Sequence, residues 1–194
     1  MTTLIAHVHI EGKRPLLWHA FGPSSLPLER QEKTGVAGND PTEWEKTVLA
    51  LPSGQLYLRP SYIFGCLRDG ARYTKLKRGT LQPMLASTLQ VMDDVILVDR
   101  YLPSELSTDP TQPVYLDIAG VRNPSTKGRN VRYRVAASPG WHTDFHLFWE
   151  ATIVDRGAMQ QVVHDAGLYV GLADGRSIGM GRFDLVSFEV EDGE

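Results

Sequence analysis

Gly171-Leu172-Ala173-Asp174-Gly175-Arg176-Ser177-Ile178-Gly179-Met180-Gly181-Arg182-Phe183 places four glycines and two arginines within thirteen residues. The stretch before it carries Met159, Val162, Val163 and Ala166, one apolar face of a helix, with Asp155 as its N-cap. The stretch after it, Phe183 to Val190, is strand-like. Glycine permits positive φ and close backbone approach. Successive N–H groups in such a loop can converge on an anion, and arginine forks onto phosphate. The pattern predicts a phosphate clamp from Gly175, Gly179 and Gly181, with Arg176 and Arg182 beside it. A plain helix-to-strand connection uses the same glycines, so both readings stand at this point.

Working outward, Phe145, Leu147, Trp149, Ala151 and Ile153 alternate onto one face of a strand. Before it, Val114 to Ala119 and Asn130 to Ala136 read as the arms of a β-hairpin with a long tip. Its cations are Arg122, Lys127, Arg129, Arg132 and Arg134, opposed only by Asp117 and interleaved with Tyr133. Such a surface suits a phosphate backbone, and equally a hairpin kept soluble by charge. Val95 to Val98 reads as a buried strand. A helix from Ser61, which would cap it, has Ile63, Leu67 and Ala71 inward. Arg68, Arg72 and Lys75 form its second stripe, with Lys77 and Arg78 following. Leu81 to Met92 extends the helical region. Thr3 to Glu11 is a strand with Leu4, Ala6, Val8 and Ile10 on one face and Ile5, His7, His9 and Glu11 on the other.

The order is strand, helix, strand, hairpin, strand, helix, strand. It predicts an α+β fold with a ferredoxin-like (RRM-like) βαββαβ core and both helices on one side of the sheet. Residues 1–194 form a single domain. Its insertions are a β-hairpin thumb over about 99–141 and a long loop insertion after the first strand, about 21–56. The latter is rich in Gly and Pro, with a short helix from Pro41 to Val48 capped by Asp40.

The chain has 194 residues, a formal charge of −3 and one cysteine, Cys66. A basic surface must therefore be local, and neither an internal disulfide nor a multi-cysteine zinc site exists. The first residues carry no signal-peptide pattern, and no apolar run reaches membrane-spanning length. A cytoplasmic location is the expectation.

Leu58-Arg59-Pro60-Ser61-Tyr62-Ile63-Phe64-Gly65-Cys66-Leu67-Arg68 resembles the P-x-S-S-h-x-G-x-h-R helix start (h, apolar) of the RAMP superfamily. Gly171 to Phe183 is similar to that superfamily's C-terminal glycine-rich loop. The hairpin looks like the thumb of the backbone subunits of CRISPR effector complexes. The resemblance implies a guide-RNA-binding subunit that polymerises along RNA. Its RNA contacts would be Ser61, Arg68, Arg72, Lys75, the hairpin cations Arg122, Lys127, Arg129, Arg132 and Arg134, and Gly175, Arg176, Gly179, Gly181 and Arg182. The implied partners are guide RNA, other copies of the chain and other effector subunits, with a target strand left open. No cofactor and no membrane are implied.

Three other readings remain open, the first of them implied by the same resemblance. A RAMP-type endoribonuclease would draw on His19 as general base or Asp40 as the catalytic aspartate. A metal would find His7, His9, Asp144 and His146 on the outer face of neighbouring strands, though these also suit an open sheet face or a platform under RNA. A subunit without RNA would interact through Phe21 to Gly54, with Trp44 exposed.

Overall fold

The computed structural model describes residues 2–22, 40–75, 79–122 and 128–193. The main sheet contains β1 (Thr3–Gly12), β3 (Gln55–Leu58), β4 (Gln90–Val91), β5 (Ile96–Tyr101), β8 (His142–Glu150) and β9 (Phe183–Asp192). Its order is β3-β5-β8-β1-β9, with β4 also pairing β8. β1 lies antiparallel between β8 and β9. With β9, β1, β8 and β5 as the four core strands, this is the ferredoxin-like order. β3 adds an edge strand, straddling the end of the 21–56 insertion, that the sequence reading did not identify.

The helices α2 (Pro60–Gly70) and α4 (Arg156–Tyr169) cover one face. Ile63, Cys66 and Leu67 of α2 and Met159, Val162 and Val163 of α4 join Ala6, Val8 and Ile10 of β1 in one core. Each fully buried large aliphatic side chain there contributes roughly 1.5–3 kcal/mol. The helices approach so closely that a Cβ on Gly70 would lie 2.6 Å from the Ala166 Cβ. Trp18, Trp141 and Trp149 are buried, and each indole N–H finds a backbone carbonyl, on Tyr57, Arg14 and Val154. The other sheet face is open.

β6 (Val114–Arg122) and β7 (Arg129–Ala137) form the expected hairpin. β2 (Leu16–Trp18) leaves the main sheet and pairs with β7. All three β2 residues are buried because both faces are covered: Leu16 and Trp18 join the main core, while Leu17 packs with Tyr115 and Ala136.

Local expectations are corrected at several points. Ser61 does not cap α2. The N-cap is Arg59, in extended backbone, with Pro60 opening the helix and Ser61 exposed. The short helix α1 spans only Glu43–Thr47, and Asp40 lies outside it. The Asp40 carboxylate instead accepts from the Thr42 amide and hydroxyl at 2.9 and 2.7 Å, closing an Asx turn. Helix α3 (Gln82–Thr88) starts afresh after Leu81, with Pro83 in its first turn, and gives way to β4, so helix does not continue to Met92. Leu97 of β5 faces outward, because this sheet leaves one side uncovered. β8 ends at Glu150, and Ala151 and Ile153 follow in a turn. Trp44 is not free but packs against the core. Much of the loop insertion, 23–39, and the hairpin tip, 123–127, lie outside the described residues.

Candidate nucleic-acid interface

α2 ends one residue after Asp69, and this single carboxylate gathers three arginines. Arg68 reaches it through Nε and Nη2 at 3.1 and 3.0 Å, Arg176 at 3.3 Å and Arg72 at 3.8 Å. Three guanidinium groups against one carboxylate leave the cluster positive. All three arginines are solvent-accessible. Arg68 lies in the last turn of α2; Arg72, expected on the same helical stripe, follows in the turn beyond Gly70, and the glycine loop delivers the third.

The ends of α2 and α4 and the glycine loop border a groove of about 470 Å³. Arg72 and Arg176 line it together with Asp69 and Asp174, the latter paired with Arg134. Tyr73 and Tyr169 line it as well, 52% and 47% exposed, with ring centroids 5.0 Å apart. Sequence reasoning missed both tyrosines and Asp69. The available signal was a tyrosine near each helix end, Tyr73 three residues past α2 and Tyr169 the last of α4, but it acquires meaning only when the fold brings the two ends together.

The glycine loop is built differently from an amide clamp. Gly171, Gly175, Gly179 and Gly181 all have positive φ, and so does Ala173 at 56°. The N–H groups of Ile178 and Met180 donate to the Gly175 carbonyl, that of Gly179 to Arg176 and that of Gly181 to Pro15. The amides of Gly179 and Gly181 therefore hold the loop together and tie it to the segment before β2. Arg182 donates to the Leu168 carbonyl at 2.7 Å, where a cation complements the C-terminal end of α4.

The hairpin cations divide. Arg134 is 5% exposed and bonded to Asp117 and Asp174, which removes it from the surface. Arg132 pairs with Glu43 of α1, which also meets His19 at 3.1 Å and the Tyr133 amide at 3.2 Å. Burial alone would raise the Glu43 carboxyl. The hydrogen bonds from His19, Tyr133 and Arg132 outweigh it and hold the carboxyl below its ordinary range. His19 is thus built into the junction between α1 and the hairpin. Asp40 is exposed, and the bonds from Thr42 keep its carboxyl low. Arg122 is exposed on the hairpin, and Lys75 is exposed beyond α2. Lys127 and the side chain of Arg129 lie outside the described residues, as do Lys77 and Arg78.

On the open face, His7 sits opposite His146 and His9 opposite Asp144, as the strand order predicts. The His7 and His146 rings stack at 4.9 Å, and Asp144 takes contacts from His9 at 2.8 Å and His7 at 3.2 Å. Among the described residues no group of three or more His, Cys, Asp or Glu is arranged to hold a metal ion. No helix among them is long and apolar enough to cross a membrane.

No family model and no curated protein matches this sequence. Solved structures do. One is a chain of the type III-B Cmr-beta bound to cognate target RNA, determined by cryo-EM. The match has a TM-score of 0.53 at 15% identity, covering 98% of this chain and 61% of that one. The likeness is one of fold, and this chain spans less than two thirds of that neighbour's length. It is the architecture that the RAMP resemblance implied.

Proposed function

We propose that this chain is an RNA-binding subunit of a CRISPR-like effector complex, holding guide RNA through its phosphates and assembling with further copies along the strand. The observation that carries the reading is the arginine cluster on Asp69, set beside the glycine loop of a ferredoxin-like core. The neighbour in the type III-B Cmr-beta assembly, which is bound to RNA, supports it. Arg68, Arg72 and Arg176 are the phosphate contacts, with Lys75 and Arg122 as outlying cations. None of these elements enters a groove to read bases, so binding depends little on sequence.

The test is titration of fluorescently labelled single-stranded RNA at several salt concentrations. Affinity falls steeply with salt, with a log–log slope of roughly −0.7 per neutralised phosphate. Arg72→Ala and Arg176→Ala each weaken binding and flatten that slope by about one contact. Binding that ignores salt, or arginine variants that leave both affinity and slope unchanged, overturns the reading.

A further inference from the structure

Tyr73 and Tyr169 form a ring pair in the groove lining. Both are about half exposed, and both lie outside the hydrophobic core. Their ring planes are tilted by 36° to each other. Arg72 and Arg176, on the same groove, are steadied by Asp69. The lining also includes Ala173, a non-glycine residue held at φ 56°, a conformation that costs energy and tends to mark functional surfaces. The groove's 470 Å³ falls within the range of small-ligand sites, about 300–1,000 Å³.

Aromatic faces beside guanidinium groups match one chemistry well: a π-face joined to a phosphate. A nucleotide carries both within one unit. An acidic peptide would use the arginines and leave the rings idle. A purely apolar ligand would use the rings and leave the arginines unpaired.

We infer that this groove is a base seat, in which one nucleotide of the bound single strand turns its base onto the Tyr73–Tyr169 pair while its phosphate meets Arg72 and Arg176. The inference rests on the RNA-binding reading above and adds a contact to the base. The seat is tolerant of sequence, since every base offers a face to stack. It fixes the strand's position relative to the subunit, because the turned base interrupts the stack at one place.

The experiment compares two probes of equal length: oligoadenylate RNA and an abasic ribose-phosphate strand carrying the same number of phosphates. The wild-type chain binds the oligoadenylate about tenfold more tightly than the abasic strand, the size expected of one stacked base. The double variant Tyr73→Ala/Tyr169→Ala removes that preference and leaves both the abasic affinity and the salt slope as they were. Tyr73→Phe/Tyr169→Phe restores the preference, because the face and not the hydroxyl carries it. Thermal melting confirms that the exposed substitutions leave the fold intact. If both strands bind with salt dependence and the tyrosine variants change nothing, the seat is overturned and RNA binding stands. If neither strand binds at low salt, both readings fall. If AMP binds in a tyrosine-dependent way while oligoadenylate affinity ignores the same variants, the groove serves free nucleotides and the strand seat is overturned.

Discussion

Arg134 Nη1, on the second arm of the hairpin, lies 2.9 Å from Asp174 Oδ2 in the glycine loop. On its other side the same guanidinium meets Asp117 Oδ2 through Nη2 at 2.6 Å and Nε at 3.1 Å. A buried cation between two carboxylates fastens the thumb to the loop that borders the arginine cluster. Removing the cation strands two carboxylates in a partly desolvated place. Arg134→Ala therefore lowers stability by about 3 kcal/mol. It leaves the salt slope of RNA binding unchanged, since the side chain is off the surface. Urea unfolding paired with RNA titration checks both halves. A flatter salt slope with unchanged stability would return Arg134 to the interface.

The glycines of the loop separate in the same way. A Cβ on Gly181 would lie 2.1 Å from the Leu172 carbonyl oxygen, backbone against backbone, and neither side can yield. Gly179 has open space around its would-be Cβ, so only its φ of 83° resists substitution. Gly181→Ala therefore fails to accumulate as folded protein. Gly179→Ala folds with a loss of about 1–2 kcal/mol, the cost of left-handed backbone for a residue with a Cβ. Soluble yield and urea midpoints report the difference. Equal behaviour of the two variants would contradict this account of the loop.

The ferredoxin-like order was legible because alternation and helical stripes are local. Ala6, Val8 and Ile10, like Ile63 and Leu67, announce their buried faces within a few residues. Arg68 and Arg72 read as one helical stripe, but α2 ends at Gly70 and Arg72 follows in a turn. What could not be read was pairing across distance. Arg134 looked like its hairpin neighbours, and its partner Asp174 stands forty residues away. Gly179 and Gly181 promised free amides, yet their N–H groups meet carbonyls fixed only once the loop folds against the segment before β2. Tyr73, in the turn after α2, and Tyr169, the last residue of α4, become a pair only through the close contact of Gly70 with Ala166. At Ser61 and Asp40 the misreading was shorter in range: a good capping residue stood near each helix start, but the backbone turned elsewhere.

Cys66 sits fully buried between α2 and α4, with Sγ 3.8 Å from the Ala166 carbonyl. Burial pushes its thiol up to about 12, so no thiolate is available near neutral pH. Native protein is therefore inert to thiol reagents such as DTNB, and labelling appears only with unfolding. A fast-reacting native thiol would show that the α2–α4 contact opens readily.

Glu43 gives the chain a defined response to acid. Its carboxylate accepts from His19, Arg132 and the Tyr133 amide, and so links α1, the end of β2 and the hairpin. Burial opposes the charge, but these bonds prevail and the folded carboxyl titrates below the ordinary glutamate value of 4.5. The unfolded chain therefore binds the proton first as pH falls. The sign follows: the contribution of Glu43 is complete above about 4.5, shrinks below it, and is lost as pH passes through the lower folded value. At neutral pH, Glu43→Gln loses hydrogen bonds to a charged acceptor, worth about 2 kcal/mol. The glutamine cannot titrate, so the stability gap between variant and wild type narrows as pH drops below the carboxylate range. His19 and Arg132 face the same carboxylate, and Arg132 keeps its charge throughout. Denaturant unfolding of both proteins, from pH 7 down through the carboxylate range, measures the gap directly. A gap that stays constant with pH would mean that the Glu43 junction is not held by its charge.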